Sequence, residues 1–117
     1  MATFAKNTLS GSANFNLLRV TSASSPGVIV HTGTSLTGEN SADEVWIWAC
    51  NTGTSQQENL TLEWGGAAAC HITALGSQTG YTLIAPGLPI NAGNIVRARS
   101  TNASQVSVMG FVNYIRP

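Results

Sequence analysis

DEVWIWACNTGTSQQENLTLEW, residues 43–64, carries two dense apolar runs, 45–50 and 60–64, joined by a stretch of Asn, Thr, Gly, Ser and Gln. Short runs rich in Val, Ile and Trp between turn-forming residues read as strands, and the link between these two reads as a hairpin connection. Side chains alternate along an extended chain, so Trp46, Trp48 and Cys50 share one face while Val45, Ile47 and Ala49 share the other. A strand apolar on both sides is expected to lie in the interior, covered twice. The second run alternates differently. Leu60, Leu62 and Trp64 point one way and Thr61 and Glu63 the other, the pattern of a strand with one wet face. All three tryptophans of the chain lie in these two runs. For Trp46 and Trp48, core packing outweighs an exposed sugar-binding platform as the expectation.

The flanking sequence has the same short-period character. Residues 1–12 are polar, with Phe4 and Leu9 as isolated apolar points, and form an N-terminal arm or edge strand ahead of a domain spanning 13–117. Extended segments at 14–20 and 27–32 are separated by a turn containing Pro26-Gly27; in the second, Val28 and Val30 oppose Ile29 and His31. Gly65-Gly66 reverses the chain into 69–74, and 81–84 is extended again. Pro86, Gly87 and Pro89 reduce 88–90 to a short edge or corner, because proline cannot donate to a sheet ladder. Residues 91–94 suit a hairpin turn. In 95–100, Val96 and Ala98 face inward and Arg97 and Arg99 outward. The final segment, 105–116, sets Val106, Val108, Gly110, Val112 and Tyr114 against Ser107, Met109, Phe111, Asn113 and Ile115, so its second half is apolar on both faces. About eight short strands at roughly ten-residue spacing, with no helical period, predict an all-β, antiparallel, jelly-roll-like β-sandwich. An immunoglobulin-like or other Greek-key order fits the same pattern.

Composition narrows the function. The 117 residues suit one domain, only 9% of them are charged and the formal net charge is zero; a typical soluble domain is about a quarter charged. Lys6 is the only lysine. So little charge favours association, and a homo-oligomer or a component of a larger assembly is expected. Nucleic acid is not an expected partner, because phosphate binding calls for a basic stripe. Nor is a membrane, since no apolar stretch approaches the roughly 20 residues of a span. The first residues lack the apolar core of a signal peptide, so synthesis in a cytoplasm is expected. Cys50 and Cys70 allow at most one disulfide, and two buried free thiols are expected ahead of a bridge. His31 and His71 show no ligand spacing for zinc, and no nucleophile–base order stands out, so neither a cofactor nor an enzyme is expected. Glu39, Asp43, Glu44, Glu58 and Glu63 mostly flank turns, where solvated strand ends are the ordinary explanation. Arg97, Arg99 and Arg116, in a chain almost without lysine, suit bidentate pairing at subunit contacts, with Glu58 or Glu63 as partners. Phe111 and Tyr114 join them as expected interface residues.

DEVWIWACNT (43–52), NLTLEWGG (59–66), APGLPI (85–90) and NIVRARSTNASQVSVMGFVNYI (94–115) together resemble the small virion structural proteins of tailed bacteriophages. The likeness is strongest to those of cyanophages and other aquatic phages, which include capsid decoration, or cement, proteins. It spans roughly 43–115 and carries no catalytic signature. The resemblance implies a β-sandwich or jelly-roll knob, often trimeric, made in the host cytoplasm and bound to the virion's outer head surface. There it would clamp the major capsid protein against packaged DNA. In that setting the arm would add a strand to a capsid edge, with Phe4, Lys6 and Leu9 as contacts, and its deletion would leave the domain folded. The rival from another class is a receptor- or glycan-binding module of a phage fibre or vertex, with Tyr81 and Tyr114 as platforms.

Overall fold

The computed structural model describes residues 3–12, 14–33, 42–66, 68–91 and 93–116. Nine antiparallel strands run through them: β1 (Thr3–Thr8), β2 (Leu18–Val20), β3 (Val28–Thr32), β4 (Ala42–Asn51), β5 (Glu58–Trp64), β6 (Cys70–Leu75), β7 (Thr82–Ile90), β8 (Ile95–Ser100) and β9 (Val106–Arg116). They form two sheets. The first has the order β1-β9-β4-β7, with β2 continuing the place of β1 along the same edge of β9; the second has the order β3-β8-β5-β6. Apart from β5 to β6, every connection after β2 crosses from one sheet to the other. With β1 and β2 counted as one place, this is the strand order of a jelly roll. The count exceeds eight because the first place is interrupted between Thr8 and Leu18.

The links at 52–57 and 91–94 are therefore crossovers and not hairpins. Turn residues dictate that the chain reverses; they do not dictate that the two strands it joins are paired. β4 finds its partners in β9 and β7, so β5 passes to the other sheet. β7 runs through both prolines as one strand of 82–90, which is possible because it is an edge strand and carries two register shifts against β4. That corrects the expected break at the Pro-Gly corner.

Between the sheets, Val45, Ile47 and Ala49 of β4 pack with Leu60, Leu62, Val96, Val108 and Val112, all essentially without exposure. Each such aliphatic side chain contributes roughly 1.5–3 kcal/mol by leaving water. A Cβ at Gly110 would overlap the Trp46 carbonyl, so glycine is what lets β9 approach β4 this closely. Leu9 is also fully buried, and Gly11 N–H donates to the Val30 carbonyl at 2.9 Å. Residues 9–11 are thus part of the sandwich. Leu9 is a core residue and not a surface contact, and deletion of 1–12 would take core with it.

β4 lies in the interior of its sheet, yet only one of its faces is covered by the other sheet. Trp46 and Trp48 stand half-buried on the outer face. The expectation of double cover and of core tryptophans is corrected accordingly.

Candidate functional site: the outer face of the first sheet

β4 projects Glu44, Trp46 and Trp48 away from the core, and antiparallel register sets them opposite Asn113, Phe111 and Met109 of β9. Across β9, Lys6 of β1 lies opposite Asn113 and Thr8 opposite Phe111. Three aromatic rings meet in this lattice. Their centroids are 6.3 Å apart for Trp46–Trp48, 6.1 Å for Trp46–Phe111 and 5.9 Å for Trp48–Phe111. The Trp46 plane lies within 21° of that of Trp48 and 18° of that of Phe111. Lys6 Nζ sits 4.4 Å from the centre of the Phe111 ring, a cation–π distance.

Polar groups hold the cluster in place. Glu44 Oε1 accepts from Trp46 Nε1–H at 2.8 Å and from Asn113 Nδ2–H at 3.1 Å, which fixes the indole along the strand. Gly87, at a φ of +74°, lies beside the same indole; a Cβ there would stand 3.0 Å from its ring carbon. Leu83, opposite Trp48 on β7 and 42% exposed, and Tyr81, 47% exposed, extend the apolar surface. Partial burial, and then a hydrogen bond to Cys50, raise the Tyr81 phenol above its ordinary pKa. The result is a continuous apolar platform with one cation and one carboxylate at its rim.

The opposite outer face, on the second sheet, is closed by its own charges. Glu63 is buried, takes Arg99 Nε–H at 2.8 Å and Gly27 N–H at 3.4 Å, while Arg97 donates to the Gly27 carbonyl at 3.2 Å. Thr61 is buried beside them. The wet face expected for β5 is therefore covered. Glu58, also buried, accepts from Asn102 N–H at 2.7 Å and Nδ2–H at 2.8 Å, and so ties down the turn between β8 and β9 rather than an arginine.

Asp43 and His31 form a third buried pair, Oδ2 to Nε2 at 2.7 Å, both without exposure. Ser10 N–H donates to His31 Nδ1 at 3.1 Å, so Nδ1 is the unprotonated nitrogen and Nε2–H points at Asp43. A register shift between Ile29 and His31 turns both Val30 and His31 inward, against the strict alternation expected. The dyad resembles half of a hydrolytic triad, but it is sealed in the core and its second nitrogen is occupied by backbone. It fastens β3, β4 and the end of β1 together. Asp43, Glu58 and Glu63 are thus structural clasps and not solvated strand ends; groups distant in sequence, on His31, Asn102, Gly27 and Arg99, cover them. Glu39 lies outside the described residues.

The expected contact residues are dispersed. Lys6 and Phe111 come together in the aromatic cluster. Arg97 and Arg99 lie on the other outer face, Tyr114 packs against the core, and Leu9 is inside it. The side chains of Phe4 and Arg116 lie outside the described residues; their backbones pair with Ile115 and Thr3. Trp46, Trp48, Glu44 and Met109 were not expected at this surface. Their signal was present in the two apolar faces of 45–50 and of the final strand. Cys50 and Cys70 are free, as expected, and sit in different sheets; Cys50 is buried and Cys70 exposed, which corrects the expected burial of both. An open groove of about 630 Å³ beside Trp64, Pro89, Ile90, Asn91 and Asn94 is lined mainly by apolar groups, and Trp64 Nε1–H is engaged by the Pro89 carbonyl at 2.9 Å. Among the described residues, no three His, Cys, Asp or Glu side chains converge.

Comparison with protein-family models, with curated proteins and with solved structures finds no match to this chain.

Proposed function

We propose that this chain is a non-enzymatic capsid decoration protein of a tailed bacteriophage, which docks on the outer head surface through the aromatic face of its first sheet and strengthens the lattice of the major capsid protein. The observation that carries this reading is the platform of Trp46, Trp48 and Phe111, partly open to solvent and continued by the exposed Leu83 and Tyr81, on a domain where, among the described residues, Asp43, Glu58, Glu63, Arg97 and Arg99 are engaged internally. Exposed contiguous apolar surface of this kind marks interaction sites, and each aromatic ring brings roughly 150–250 Å² of area to a contact. The jelly-roll order supports the reading by analogy only, since the same fold serves viral capsids and lectins. Residues 3–8 already pair with β9, so the face, with Lys6 at its rim, replaces strand donation as the docking mode. Modest affinity per site suffices where one assembly touches several capsid subunits.

Quantitative mass spectrometry of purified particles tests the role. Copies equal to the major capsid protein, or a simple fraction of it, are expected; a handful per particle, or none, would sink it. The same platform also favours a second reading, a glycan-binding module of a fibre or vertex, since stacked rings suit a sugar face. In that case Trp46 and Trp48, in place of Tyr81 and Tyr114, would be the platform, and titration with host surface glycans would shift tryptophan fluorescence.

A further inference from the structure

Among the described residues the two sheets have four edges where no other strand is hydrogen-bonded, one of them shared by β1 and β2, and three of the four are protected. β7 carries Pro86, Pro89 and two register shifts. β1 carries Lys6. β3 is five residues long, bulged, and its free side is partly used by Gly11 N–H and the Ser10 hydroxyl. Charges, prolines, bulges and covering loops are the devices that keep exposed edges from pairing. Among the described residues none of them protects β6, Cys-His-Ile-Thr-Ala-Leu, and Ile72 beside its edge is 64% exposed.

The direction of its backbone groups follows from the ladder. Trp64 N–H donates to the Ala69 carbonyl at 2.7 Å, and the register continues as Leu62 with His71 and Leu60 with Thr73. In an antiparallel pair, hydrogen-bonded and non-bonded positions alternate. Residues 71, 73 and 75 therefore spend their backbone groups on β5, whereas Cys70, Ile72 and Ala74 turn theirs to the open side.

We infer that the β6 edge pairs with the β6 edge of a second copy of this chain, antiparallel and centred on Ile72. Only that symmetric register sets open groups against open groups throughout: Ile72 meets Ile72, and Cys70 meets Ala74 in both directions. Three residues, each with one N–H and one C=O, then close six hydrogen bonds across the twofold axis. The edge holds no charge that would repel its own copy, and the exposed Ile72 side chains cover each other on the outer surface. The same register sets His71, whose Nε2 has no hydrogen-bond partner, opposite Thr73 of the second copy. Twofold closure ends growth at two chains and joins two four-strand sheets into one. It makes a pair, where the resemblance implied a trimer. The pairing concerns the isolated chain and does not depend on capsid binding.

Sedimentation equilibrium of the purified protein across the micromolar to millimolar range tests it. A species of twice the 12.2 kDa chain mass is expected. Ile72→Lys, which places like charges face to face, should weaken association at least tenfold while leaving the near-UV circular dichroism unchanged, since the side chain it replaces is exposed. Ala74→Cys should form, on mild oxidation, a covalent pair whose linked peptides join residue 74 to Cys70 of the other copy. A wild-type protein that stays a single chain throughout the range overturns the proposal. So does a pair that persists in Ile72→Lys, or one in which the Ala74→Cys protein does not cross-link to Cys70.

Discussion

The outer faces of the two sheets are built from the same strand alternation and end in opposite states. On the first sheet the outward row is aromatic, and its rings stack on one another with Glu44, Asn113, Lys6 and Thr8 for polar company. On the second sheet the outward row is Thr61, Glu63, Arg97 and Arg99, and every charge there has an internal partner. The first face offers a cluster of aromatic rings, whereas the second spends its charges internally and leaves only the separate apolar side chains Ile29 and Ile72 exposed among the described residues. Apolar outward residues on an uncovered face serve a partner; charged outward residues that are buried serve the fold.

Substitutions should separate the two roles, and the inward residues of β4 set the scale. Ile47→Ala, in the core, should cost about 2–5 kcal/mol in chemical denaturation. Glu63→Ala should cost about 1–3 kcal/mol, because Gly27 N–H loses its acceptor and Arg99, which is 30% exposed, loses its carboxylate; capsid binding by the folded fraction should be unchanged. Trp48→Ala should cost about 1–3 kcal/mol, less than the roughly 3–5 kcal/mol of a fully buried tryptophan, yet reduce binding to heads by at least tenfold in co-sedimentation. If instead Glu63→Ala abolishes binding and Trp48→Ala leaves it intact, the assignment of the two faces is reversed. Lys6→Gln should lower stability by about 0.5–1 kcal/mol through the lost cation–π contact. The smallest effect is at Tyr81. Its folded pKa is raised, so the neutral phenol's contribution is complete below the ordinary pKa of about 10 and is lost as pH rises through the folded value. Cys50→Ala should move the ultraviolet titration of Tyr81 downward, since the thiol is one cause of the shift.

Much of the fold was legible in the residues. Alternation in 95–100 placed Val96 and Ala98 inward, where they lie, and that in 105–116 put Val106, Val108 and Val112 on one face, which is the buried one; the spacing of turns predicted the two-sheet, jelly-roll-like architecture. Period-two patterning does not say which strands pair, so the links at 52–57 and 91–94 read as hairpins when they cross between sheets. Nor does it see a bulge, which is why His31 was placed opposite Val30 although both are buried. Burial of Asp43, Glu58 and Glu63 depends on partners 12, 44 and 36 residues away, respectively. The aromatic platform was present in the pattern of 45–50 but was assigned to the core, because apolar character on both sides of a strand has the same appearance whether a second sheet or another molecule covers it.

Hydroxyl-radical footprinting of the protein free and bound to purified heads tests the docking face most directly. Oxidation of Trp46, Trp48 and Met109 should fall several-fold on binding while Arg97 and Arg99 peptides stay unchanged. Equal oxidation of the tryptophans in both states, with protection elsewhere on the surface, would contradict it.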